Sequence, residues 1–139
     1  MHVNLPSTLA DRALARTLAL LAALGLAGCG AKNYEPPAAT SPESARAALS
    51  AALDAWQAGQ TMEQLSARAE PIYVGDEDWR SGASLVEYQI AEPGEQVGLN
   101  VVYAVSLDIH QGGKRQRKNV HYRVSTSPVA SVKRSDKGE

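Results

Sequence analysis

"VVYAVSLDIHQGGKRQRKNVHYRV", residues 101–124, decides the fold. Val101, Tyr103, Val105, Leu107 and Ile109 alternate with Val102, Ala104, Ser106, Asp108 and His110. Further on, Val120, Tyr122 and Val124 alternate with Asn119, His121 and Arg123. A period of two puts the apolar set on one face of a half-buried strand and the polar set on the other. Gly112-Gly113 lies between the runs, and a glycine pair suits a two-residue turn with positive φ at both positions. That turn predicts an antiparallel hairpin with Tyr103 opposite Tyr122, Val105 opposite Val120 and Val101 opposite Val124. Opposed residues share a face, so the two apolar sets meet. The same register sets Asp108 opposite Arg117 on the outer face, and Leu107 and Ile109 opposite Lys118 and Gln116. A wider loop pairs His110 with His121 and Asp108 with Arg123 instead. Both registers give Asp108 a basic partner, so the glycine pair decides.

Upstream, Val86, Tyr88 and Ile90 alternate with Leu85, Glu87 and Gln89, and Pro93-Gly94 marks a turn. A last short run covers Pro128 to Lys133. Before residue 80 the period is helical. Ser41-Pro42-Glu43 supplies an N-cap, a proline suited to the first helical position and an acid that complements the dipole. Ala45, Ala48, Leu49, Ala52, Leu53 and Trp56 then form one apolar stripe, to about Ala58, and Gly59 fits the C′ position. Thr61 and Gln64 form a capping-box pattern that opens a second, short helix to about Arg68, closed by Pro71. Helices first and hairpin strands afterwards predict an α+β domain. One long and one short N-terminal helix pack on a three- to four-stranded antiparallel sheet.

A helix with a tryptophan near its end, a short helix and then a curling sheet resembles NTF2-like and cystatin-like domains. The stretches "ARAALSAALDAWQAGQT", "IYVGDEDWRSG" and "VHYRVSTSP" are also similar to small uncharacterised lipoproteins of planctomycete-type bacteria. Neither resemblance implies an activity, because this kind of fold hosts enzymes, ligand binders and inert scaffolds alike.

The N-terminus reads as a targeting segment. Arg12 and Arg16 give a basic start, diluted by Asp11, and an apolar run follows from Leu18 to Ala27. That run is far shorter than the ~20 residues a membrane-spanning helix needs and fits a secretory leader. Leu26-Ala27-Gly28-Cys29 then resembles a bacterial lipobox, with the chain's only cysteine in place. The resemblance implies lipidation of Cys29 on Sγ and cleavage before it, which anchors the protein to the membrane. Gly30 and Ala31 follow without an aspartate, which resembles outer-membrane rather than inner-membrane sorting. With no second cysteine, an intramolecular disulfide is excluded. The expected organisation is a signal peptide over residues 1–28 and a lipidated tether over 29–40. A single α+β domain follows over 41–134, with a disordered tail over 135–139.

Charge is segregated. From Cys29 to Gly98, four Lys/Arg stand against eleven Asp/Glu; from Leu99 to Glu139, eight stand against three. The chain as a whole carries a formal net charge of −1, which argues against a nucleic-acid binder. The two halves are expected to attract each other, weakly if the charges are exposed.

Four constellations merit weighing. His110 and His121 are expected on outward strand positions, and no third ligand joins them, so no metal, cofactor or catalytic group is assigned. Asp76-Glu77-Asp78 reads as a solvated acidic loop, because consecutive residues point apart. Trp79 reads as a core plug. Lys114, Arg115, Arg117 and Lys118 form the one dense basic run. They read as a hydrated hairpin that discourages edge association, or as contacts to an anionic surface. The leading functional expectation is a non-enzymatic, lipid-anchored envelope protein that offers its domain to a partner. The alternative is a small-ligand binder with a pocket between the helices and the concave sheet, lined by Trp56, Trp79, Tyr88, Tyr103 and Tyr122.

Overall fold

The computed structural model describes Gly30 and residues 34–135. Cys29, the expected leader over 1–28 and residues 136–139 of the expected tail lie outside the described residues. Among the described residues three helices and six strands follow one another: α1 (Pro42–Gln57), α2 (Met62–Ser66), β1 (Ile72–Gly75), α3 (Glu77–Arg80), β2 (Ser84–Ile90), β3 (Glu95–Val97), β4 (Asn100–Gln111), β5 (Lys114–Ser125) and β6 (Ala130–Ser135). The architecture is α+β.

The hairpin has the predicted register. Tyr103 pairs with Tyr122, Val101 with Val124, Asp108 with Arg117 and Gln111 with Lys114. Gly112 and Gly113 take φ of +58° and +78°, the left-handed conformation that a tight two-residue turn requires. Around this hairpin the sheet runs β1-β6-β5-β4-β2, with β3 on the β2 side of β4.

Six strands replace the expected three or four, and a third helix, α3, separates β1 from β2. The extra strands are β1, four residues long, and β3, three residues long, both too short to show a period. β1 also makes the sheet mixed, since it pairs in parallel with β6, Ile72 beside Ala130 and Gly75 beside Lys133. Strand β2 does not alternate simply. Leu85 pairs with Ile109 and Glu87 with Asp108, so Val86 is the extra residue of a β-bulge. The bulge turns Leu85 inward and leaves Val86 exposed, whereas simple alternation had paired Val86 with the inward Tyr88 and Ile90.

Helix α1 lies on the inner face of the sheet. Ser41 caps it by accepting from the Ser44 N–H at 3.1 Å. Ala45, Leu49, Ala52, Leu53 and Trp56 are all buried, as the stripe predicted, against Val101, Tyr103, Leu107, Tyr122, Val124 and Val132. Trp56 stacks on Trp79 with ring centroids 5.1 Å apart and planes within 4°. Each indole N–H finds a backbone acceptor, Trp56 on Ala83 O at 2.8 Å and Trp79 on Gln60 O at 3.0 Å. The burial of these amphipathic rings therefore leaves no donor unpaired. Thr61 and Gln64 form the predicted capping box at the start of α2.

The last residues of the expected tether are bonded to the domain. Thr40 N donates to Leu99 O at 2.9 Å, Thr126 N donates to Thr40 Oγ1 at 2.9 Å, and Ala38 N donates to Ser127 Oγ at 3.2 Å. Tyr103 OH donates to Pro42 O at 2.9 Å and ties the first turn of α1 to β4.

Trp56→Ala is expected to lower stability by about 3–5 kcal/mol, the usual loss for a large-to-small change in a core. Arg46→Ala, which breaks a half-exposed ion pair with Glu92, is expected to cost under about 1 kcal/mol. Urea unfolding of both variants checks the buried face; equal midpoints would refute it. Gly94 offers a second test, since a Cβ there would stand 2.6 Å from Tyr103 Cζ and 2.7 Å from Val101 Cγ1. Gly94→Ala is expected to cost about 1–3 kcal/mol by overpacking, read in the same urea series.

Candidate functional site

The acidic triplet is not a solvated loop. Asp76 is 1% exposed and Asp78 8%, and only Glu77 between them faces water. Asp76 is the N-cap of α3, its Oδ1 accepting from the Trp79 N–H at 2.9 Å. Its Oδ2 accepts from the Tyr122 hydroxyl and lies 2.8 Å from Arg134 Nη2. Asp78 Oδ1 accepts from Lys118 Nζ at 2.8 Å, and its Oδ2 accepts from Arg134 Nη1. Arg134 thus spans both carboxylates, and its guanidinium carbon lies 5.9 Å from the centre of the Tyr122 ring. Consecutive residues do point apart, but residues two apart at the opening of a short helix reach the same cation, Arg134. The acidic and basic halves of the chain meet here in a buried cluster, not across a hydrated surface.

Sequence reasoning missed Asp76, Asp78, Tyr122 and Arg134 as one group. Two signals were present. Asp76 stands three residues before Trp79, the spacing of a capped helix start. The predicted register also put Lys118 on the inner face opposite Leu107, where an ammonium needs a counter-charge.

The electrostatics hold fixed charges. Burial works to raise the Asp78 carboxyl, but the hydrogen bonds and charges of Lys118 and Arg134 outweigh it, and the carboxyl sits below its ordinary value. Burial, with the adjacent Asp76 charge, pushes the Tyr122 phenol far up. Burial opposes the Arg134 charge, yet its partners Asp78, Tyr122 and Asp76 raise it overall. Tyr88, bonded to Asp54, is pushed up to about 12, chiefly by burial. Every shift moves its group away from neutral pH, so these side chains act as clamps, not as exchangeable protons.

Beside the cluster, where β1, β6 and α3 meet, lies a groove of about 500 Å³. Gly75, Asp76, Glu77, Arg80, Arg123, Lys133, Arg134 and Ser135 line it. Arg123 and Lys133 are directly paired across β5 and β6, and Gly75 is paired with Lys133 on β1. Arg123 Nε and Arg134 Nε are buried and have no hydrogen-bond acceptor among the described residues.

The basic run does not form a single patch. Arg115 forks onto Asp108, Nε to Oδ1 at 2.8 Å and Nη2 to Oδ2 at 2.6 Å, and Arg117 Nη2 lies 3.9 Å from Asp108 Oδ2. Arg115 holds the Asp108 carboxyl below its ordinary value. Both arginine side chains remain mostly exposed. Lys114 and Lys118 alternate with them along β5, and Lys118 is committed to Asp78. His110 pairs with Arg115 and His121 with Ala104, so the two histidines are not neighbours. Among the described residues, no group of three or more His, Cys, Asp or Glu is placed to hold a metal.

The aromatic side chains expected to wall a pocket are packed instead. Trp56, Tyr103 and Tyr122 are each no more than 2% exposed, Trp79 is 8% exposed as the expected core plug, and Tyr88 packs against the core edge. No family model, curated protein or solved structure matches the chain.

Stability is expected to depend on acid in a defined direction. Asp78 and Asp108 have folded pKa values below the unfolded value of about 4. The folded state therefore binds fewer protons, and protonation favours unfolding. Their contribution is complete above about pH 4 and is lost as pH falls through the folded values. Urea midpoints should be flat from pH 7 to about 5 and fall below about 4. Asp78→Asn should cost about 1–3 kcal/mol at pH 7 and flatten the acid limb; an unchanged limb would remove Asp78 from the linkage.

Proposed function

We propose that this is a non-enzymatic, lipid-anchored protein of the cell envelope that presents its small domain to a structural or protein partner. In this reading Cys29 carries the lipid, and the protein sits at the outer membrane or the periplasmic face. The domain is of NTF2-like or cystatin-like type, a reading supported by a long helix laid across a sheet and followed by a short capped helix.

The observation that carries partner contact over an interior ligand is the closed core. The stacked Trp56–Trp79 pair and the Tyr103 and Tyr122 rings fill the space between helix and sheet that a small molecule would need. What the domain offers is therefore its exterior. The tether suits the role. Residues 29–37 precede the first of the bonds that pin residues 38–40, and extended they reach about 30 Å. Two or more acyl chains on the cysteine would give stable anchoring, at about 0.8 kcal/mol per buried methylene.

Metabolic labelling with a fatty-acid probe tests the anchor. Wild-type protein should be labelled and fractionate with membranes, and Cys29→Ser should lose both properties. Equal labelling of the two forms would overturn the proposal.

A further inference from the structure

The geometry points to the groove between Arg80, Arg123, Lys133 and Arg134 as a binding site for a phosphate-bearing ligand. Four cationic residues line it against two acidic ones, and of these Arg134 is already bonded to Asp76 and Asp78. Asp76 is already engaged by Trp79 N–H, Tyr122 OH and Arg134, which leaves Glu77 as the one uncommitted acid in the lining. Arg80, Arg123 and Lys133 have no carboxylate partner among the described residues. The excess is thus positive, and it is concentrated in a concavity, where like charges are brought together at a cost that an anion relieves.

Arg123 Nε and Arg134 Nε are buried N–H groups without an acceptor. Buried guanidinium donors are rarely left unpaired, and each needs a water or an anion. Arg123 pairs with Lys133 and shares its face of the sheet, whereas Arg134 pairs with Tyr122 and turns to the core face, so the cations left free at the groove, among the described residues, are Arg80, Arg123 and Lys133. Register places Arg123 and Lys133 side by side on neighbouring strands, so a guanidinium fork and an ammonium stand together. That pair of donor types suits a phosphate, whose oxygens accept from several directions. Gly75, next along the row, presents no side chain over Lys133. At about 500 Å³ the groove exceeds one phosphate and leaves room for a small polar substituent.

This site is independent of the lipid anchor and of partner contact. The phosphate can belong to a soluble monoester or to a lipid headgroup, and glycerol phosphate and short-chain phosphatidylglycerol separate the two. Full-length protein in zwitterionic micelles is titrated with each at constant ionic strength, and backbone amide shifts are followed by NMR. Saturable shifts at Gly75, Glu77, Lys133 and Ser135 are expected. The tighter of the two ligands names the source, and either order supports the site. Arg123→Gln with Lys133→Gln should weaken binding about tenfold or more, as two charge-assisted contacts are lost. Arg115→Gln with Arg117→Gln, near the turn of the hairpin and outside the groove lining, should leave it unchanged. Lys133→Gln alone, at an exposed position, carries the same test at smaller amplitude if the double variant melts early. No saturable shift with either ligand, or equal affinity in the groove variants and the hairpin variant, would overturn the proposal.

Discussion

Arg134 spanning Asp76 and Asp78 is the contact on which the mixed sheet depends. The two carboxylates sit at the start of α3, directly after β1, and the guanidinium comes from β6. A four-residue parallel edge strand has little hydrophobic area and few ladder bonds of its own. Tyr122 and Lys118 add two further ties from β5, so the edge is held by both of its nearest strands. Taking these charges out of water is costly, and the arrangement offsets that cost by pairing each carboxylate with a cation, while Arg134 Nε is left without an acceptor among the described residues. Removing any one of these five side chains would strip a partner from a buried charge or hydroxyl and expose it to that cost.

The second constraint is the pair of stacked indoles. Trp56 ends α1 and Trp79 belongs to α3, so their contact joins the long helix to the segment that the ionic cluster secures. Both rings also donate to backbone carbonyls at chain turns, which fixes the α1–α2 link and the entry to β2. Packing and polarity are thus satisfied by the same side chains. The consequence for function is spatial: a filled interior leaves the exterior as the working surface, with charge gathered in the groove beside β1 and around Asp108 on the hairpin.

Much of the scaffold was legible in residues 41–125. The α1 stripe, the Ser41 and Thr61 caps and the hairpin register all depend on neighbours a few residues apart or on a tight turn, and local chemistry determines them. Leu85 and Val86 show where such reading stops. A bulge adds one residue to β2 without any change of composition, and it reverses the face of everything before it. The acidic triplet shows the same limit for the site. The spacing of Asp76 and Trp79 marks a helix cap but does not tell a hydrated triplet from a buried one, although Lys118 on an inward position was a sign that some carboxylate had to come inside.

By itself, then, the sequence determined the α+β class, the Ser41 and Thr61 caps, the buried face of α1 and the pairing of β4 with β5. Each rests on periodicity, on a capping side chain or on the glycine pair. Tertiary structure alone decided that β1 lies parallel to β6, that Asp76 meets Tyr122 across 46 residues and Asp78 meets Arg134 across 56, and that Arg123 and Lys133 share a groove. The physical reason is separation along the chain. A local contact is specified by spacing, whereas a contact between distant segments exists only after the hairpin and helix have folded and placed those residues within reach.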